Sequence, residues 1–172
     1  MTAPIQEAWL RGPVPNIHAL LQPVAHALID AEDDVRKVVT GLTSAQLSSR
    51  PGGSGSVAFH VTHAMGSLDR LMTYARGESL NETQLAVLAA EKAVDETSRL
   101  AEELVAAFTA AVKTAHARLA ATKEEELLAI RLVGRKQLPS NTLGLLFHAA
   151  EHTARHVGQL VTTAKIVRAT TA

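Results

Sequence analysis

Apolar residues recur at steps of three and four through most of the chain, the spacing that lines one face of an α-helix. Ile17, Leu20, Leu21, Val24, Leu28, Ala31, Val35, Val38 and Val39 predict a first helix, with Asn16 as N-cap, a kink at Pro23 and a stop at Gly41. A loop follows, ending in Pro51-Gly-Gly-Ser-Gly-Ser56, the sharpest break in the sequence. Val57, Val61, Ala64, Leu68, Leu71 and Ala75 predict a second helix, capped by Ser56 and ending near Gly77. A shorter helical pattern surrounds Leu85, Leu88 and Ala89 within residues 78–96. Leu100, Leu104, Ala107, Phe108, Ala111, Ala115 and Leu119 mark a third long helix over about residues 97–122. Residues 127–138, with Gly134 between two short apolar runs, read as a hairpin-like loop. Pro139 breaks the chain again, and Ser140 or Asn141 caps a last helix running to about Val167.

Four long helices and a short one imply an all-α fold, a four-helix bundle formed as one domain over residues 1–172. Residues 1–15 form an irregular arm, because Pro4, Gly12, Pro13 and Pro15 forbid one regular helix; Trp9 and Leu10 are the side chains available to pack it. The link between the second and third long helices is informative. About 20 residues, partly helical at ~1.5 Å rise each, can cross the length of a bundle. The second and third helices then run parallel, in an up-down-down-up order with a short extra helix in the crossover.

Composition narrows the chemistry. Apolar residues make up 47% and aromatics 3%, the balance of a helical core built from alanine and leucine. With no cysteine, a disulfide framework, a thiolate metal site and a cysteine nucleophile are all excluded. The formal net charge is zero and no basic block occurs, so the electrostatic footprint of a nucleic-acid binder is missing. No apolar run approaches ~18 residues and the first residues lack a signal-peptide pattern, so the expectation is a cytoplasmic protein with no membrane partner.

The candidate chemistry lies in the histidines. His148, His152 and His156 are spaced four apart, so the predicted last helix presents them in one stripe. Two histidines at i and i+4 can share one ion, but the outer pair of three lies about 12 Å apart along the axis. One of the three is therefore spare, or supports the ligands without binding the ion itself. A further ligand must come from another helix, and His60 or His63 on the second helix is the source. Gln159 projects near the same face as a possible partner for water or substrate, and Gly158 beside it suggests close helix packing. Asp69, Arg70, Glu151 and Arg155 are candidates either to orient imidazoles or to form ordinary surface ion pairs. His18, His26 and His116 read as histidines with structural hydrogen bonds.

These residues resemble the DinB/YfiT-like superfamily of metal-binding four-helix bundles. The resemblance rests on Ser56 capping a helix that carries His63, and on His152-Thr-Ala-Arg-His156-Val-Gly-Gln159 in the last helix. The stretch from Phe59 through His63 to Gly77, and the approach from Gly134 through Leu146-Phe-His-Ala-Ala-Glu-His152, are also similar. Carried over, the resemblance implies His63, His152 and His156 as a metal triad and leaves His60 and His148 as extra histidines. It implies an up-down-down-up bundle, a divalent metal and often a homodimer. Its best-understood relatives are transferases and isomerases that use mycothiol or bacillithiol.

Zn²⁺ or Ni²⁺ suits an all-imidazole set. Such an ion can lower the pKa of water for hydrolysis or favour the thiolate of a small-molecule thiol cosubstrate. The expectation is thus a metal-dependent enzyme on an unnamed small molecule, either a low-molecular-weight-thiol S-transferase or a hydrolase. The alternative is a non-enzymatic helical bundle with a structural, sensory or vestigial metal site. Four protein ligands would favour a structural role, and three ligands an open site.

Overall fold

The computed structural model describes residues 6–91 and 100–170. Six helices carry it: α1 (Gln22–Val39), α2 (Ser44–Ser48), α3 (Val57–Ala75), α4 (Glu82–Ala90), α5 (Ala101–Ala121) and α6 (Thr142–Thr170). Between α5 and α6 lies a hairpin, β1 (Ile130–Val133) and β2 (Leu138–Asn141). The fold is mostly helical, as expected, with a small two-stranded sheet beside the helices.

The apolar stripes become the core. Val24, Leu28, Ala31, Val35 and Val39 are buried along α1, and Val57, Val61, Ala64, Leu68, Met72 and Ala75 along α3. On α5 the buried stripe is Leu104, Phe108, Val112, Ala115 and Leu119. Leu100 precedes that helix and is exposed, and Ala107 turns outward, so Val112 holds the place expected of Ala107 and Ala111. Packing contacts join α3 to α6, α6 to α1, α1 to α5 and α5 to α3.

Polar bonds fix the neighbours. Arg168, near the end of α6, donates to the carbonyls of Val38 and Thr40 at the end of α1. Thr109 of α5 donates to Glu32 of α1, and two turns further along α5 His116 Nε2 lies 3.1 Å from the carbonyl of Ala25.

Helix ends follow local chemistry. Ser56 Oγ accepts from the Phe59 amide at 2.9 Å and starts α3 as expected. Gly77, two residues past Ala75, adopts φ +77°, which suits glycine just beyond a helix end. α1 starts later than its apolar pattern suggests. Asn16 has φ +63° and His18 caps a short 3₁₀ turn over Ala19–Leu21, so regular α-helix begins at Gln22. Pro23 thus falls in the first turn, where its missing N–H costs nothing, and makes no kink. The N-terminal arm docks through buried Ala8, whose amide donates to Asp30, while Trp9 and Leu10 stay exposed.

The hairpin pairs antiparallel, Ile130 with Asn141 and Val133 with Leu138. Pro139 is tolerated because a two-stranded sheet consists only of edges. Asn141 ends β2 and also caps α6, its Oδ1 accepting from the Gly144 amide at 2.7 Å. Arg131 of β1 and Thr142 at the start of α6 both donate to the Ala75 carbonyl, tying the hairpin and α6 to the end of α3. The expected short crossover helix is α4; residues 92–99 of the predicted pattern lie outside the described residues. No described helix is long and apolar enough to cross a membrane.

Candidate metal centre

α3 and α6 bring the two histidine clusters together. His63 Nε2 lies 3.1 Å from His152 Nε2, and His60 Nδ1 lies 3.1 Å from His156 Nδ1. One ring nitrogen from each of His63, His152 and His156 falls within 4.8 Å of the others, an arrangement that can hold a metal ion. Two donors on a tetrahedral ion, each at 2.0–2.1 Å, stand about 3.4 Å apart. The three imidazoles therefore fit such an ion with small side-chain adjustments. Each of the three is half-buried, so the cluster sits where solutes reach it.

Charge state suits the same purpose. Burial, then the neighbouring His63, His152 and His60 rings and Arg155, depress the His156 pKa to about 4. Burial, followed by His63, His148 and Arg155, also lowers that of His152. Both rings are neutral near pH 7 and keep a lone pair for a ligand.

His63 has a partner that the sequence pattern does not reveal. Its Nδ1 lies 2.8 Å from Glu91 Oε2, at the C-terminal end of α4. Arg70 grips the same carboxylate, with Nη1 at 2.6 Å from Oε1 and Nη2 at 3.4 Å from Oε2. Burial pushes the Glu91 carboxyl up, but hydrogen bonds from His63 and Arg70 outweigh it and hold the pKa below the ordinary value. The ionised carboxylate only accepts, so the facing Nδ1 of His63 carries the proton. In the neutral ring Nε2 then presents its lone pair towards His152. Phe59 stacks on His63, with ring centroids 5.5 Å apart and planes at 14°.

The other candidates separate. His60 is buried against His156, and a Cβ on Gly55 would approach its Nε2 to 2.9 Å, so the glycine leaves room for the ring. His148 is exposed, pairs with Glu151 and stays outside the triad. Glu151 and Arg155 form an i,i+4 surface pair, and Asp69 binds Arg118 and Gln84 rather than an imidazole. Gln159 is exposed and makes no described contact with the cluster. Gly158 is exposed with open space at its Cβ position, so it does not serve close helix packing. His18, His26 and His116 make the expected structural contacts, with Glu124 and with the carbonyls of Gly12 and Ala25.

Comparison with known proteins places the chain in a family. It belongs to the DinB superfamily, whose sequence profile matches residues 27–160, a span that includes His63, His152 and His156. A crystal structure of a conserved protein from Enterococcus faecalis shares the fold. It has a TM-score of 0.70 at 18% identity, covering 87% of this chain and 97% of that one. No curated protein matches the chain.

Proposed function

We propose that this chain is a divalent-metal-binding DinB-like protein in which His63, His152 and His156 hold Zn²⁺ or Ni²⁺. We further propose that it is a metal-dependent enzyme acting on a small molecule, as a low-molecular-weight-thiol S-transferase or a hydrolase. The observation that carries the reading is the convergence of three half-buried imidazoles from two helices, two of them with depressed pKa values.

Bound there, a divalent ion supplies Lewis acidity, which lowers the pKa of water towards ~7 or favours thiolate over thiol. The chain's own residues do the positioning. Glu91 keeps the His63 proton on Nδ1, and Phe59 holds the ring plane. The chain has no cysteine, so sulfur chemistry requires a thiol cosubstrate. Within the described residues the group of possible ligands numbers three, which supports an open site over the closed four-ligand structural kind.

The reading takes the protein as one cytoplasmic domain, dimeric through two copies of itself, with its long helices in up-down-down-up order. Three sets of contacts support that order. Successive α3 histidines meet successively earlier α6 histidines, α5 and α1 contacts run in opposite senses, and α6 ends beside the end of α1.

Titrating Co²⁺-loaded protein with small thiols separates the reactions. A sulfur-to-cobalt charge-transfer band supports the transferase. Ester or amide hydrolysis without such a band supports the hydrolase. A cobalt spectrum of four protein donors, unmoved by thiols, sinks the enzyme reading and leaves the non-enzymatic bundle.

A further inference from the structure

We propose that Glu91 is a positioning residue for the three-histidine site and that it couples occupancy of the site to docking of α4. The inference rests on the metal-site reading above and extends it to the crossover helix.

α4 is an unusual place for a buried carboxylate. None of its nine residues is buried, and Leu85, Val87 and Leu88 are exposed. Apolar burial therefore does not hold the helix down. Polar anchors at its two ends do. Near the N-terminal end, Gln84 donates to Asp69 and Thr73 of α3. At the C-terminal end, Glu91 is 4% exposed and lies between Arg70 and His63.

A buried carboxylate without partners is strongly disfavoured, so Glu91 stays inside only while those two groups face it. Arg70 is itself buried and is satisfied by this pair. His63, Gly66 and Arg70 lie at i, i+3 and i+7 on one face of α3. The glycine between them is required by space. A Cβ on Gly66 would stand 2.3 Å from Glu91 Oε1 and 2.7 Å from Arg70 Nη1. One face of α3 thus supplies a cation, a gap and an imidazole donor for one carboxylate from α4.

An ion pair alone would need only Arg70. The additional 2.8 Å contact to His63 Nδ1 places the carboxylate behind a ring whose other nitrogen points at the cluster. A carboxylate in that position fixes the tautomer and angle of a ligating imidazole and raises its basicity. Coupling of this kind is reciprocal: a metal that tightens His63 also tightens the bond that holds Glu91, and with it the end of α4.

The test compares the full-length wild type with E91A, E91Q, G66A and H152A, each checked for helical content. E91A is expected to weaken Zn²⁺ binding about 10–100-fold and to alter the Co²⁺ ligand-field spectrum. E91Q, whose amide oxygen accepts the same proton, is expected to lose less and to restore the spectrum. G66A leaves Glu91 in the sequence but displaces its carboxylate, so it should shift affinity in the direction of E91A. Zn²⁺ should slow amide exchange over residues 82–90 in the wild type and not in E91A. The proposal is overturned if E91A and G66A bind Zn²⁺ as the wild type does, with an unchanged cobalt spectrum and equal protection of α4, while H152A loses binding. Wild type that binds no Zn²⁺ would instead overturn the metal-site reading itself, and this inference with it.

Discussion

His63 Nε2 faces His152 Nε2 across 3.1 Å, the contact by which α3 and α6 close the triad. Two nitrogens cannot remain that close with both lone pairs facing, so in the metal-free protein one carries a proton. With a divalent ion bound, His63 and His152 would both offer a ring nitrogen to it, and that proton would be lost. Replacing His63, His152 or His156 by alanine is therefore expected to reduce Zn²⁺ affinity by more than the ~100-fold upper range for partners that merely orient ligands. H148A, which removes an exposed ring paired with Glu151, is expected to leave affinity within about threefold. Competition titration against a chromophoric chelator checks both. H148A behaving like H152A would move the centre along the stripe.

Metal should stabilise the fold, because the three ligands converge only in the native state. At a free Zn²⁺ concentration 100 times Kd, linkage gives about 2.7 kcal/mol. For a chain of this size that corresponds to a Tm rise of roughly 5–10 °C, reversed by a chelator. Calorimetry with and without EDTA reads it directly, and an unchanged Tm under saturating metal would count against the site.

The depressed histidines make a pH prediction for the metal-free protein. His156 has a folded pKa of about 4, against about 6.5 when unfolded. Between those values the unfolded chain binds more protons, so stability falls as pH drops from about 6.5 towards 4. Glu91 acts separately. Its pKa is lowered on folding, so its contribution is present above the ordinary carboxyl pKa and is lost on further acidification. Chemical denaturation at a series of pH values should show the first loss, and H156L should flatten it. A variant as pH-sensitive as the wild type over that window would refute the assignment.

Ser56 sets the start of the helix that carries His60 and His63. It is fully buried and its Oγ accepts from the Phe59 amide. S56A should cost about 1–2 kcal/mol, lowering Tm by roughly 2–8 °C. It should also weaken metal binding, since both histidines lie within two turns of the cap. Wild-type Tm and affinity in S56A would show that the cap does not position the site.

Much of this arrangement was legible in the sequence because it is periodic. His152 and His156 at i and i+4, and His63 two turns beyond a serine cap, follow from helix geometry and two break signals. The hairpin at residues 127–138 was legible from Gly134, although strand pairing extends to Asn141 and makes the fold more than purely helical. Glu91 was not legible. It lies 28 residues from His63 on a crossover helix with no buried face, where periodicity carries no information. The available signal was a lone acid closing the apolar run Leu85–Ala90, beside Arg70 and Gly66 on α3. Gly158 misled because a glycine beside a motif does not show which side of the helix meets a neighbour, and this one meets solvent.

The most direct measurement is the metal content of tag-free protein, by elemental analysis as purified and after loading and desalting. The account predicts close to one Zn²⁺ or Ni²⁺ per chain, falling to near zero in H152A and H156A. Fewer than about 0.2 metal per chain, with no uptake on titration, would contradict it, because three converging imidazoles in this geometry should bind such an ion.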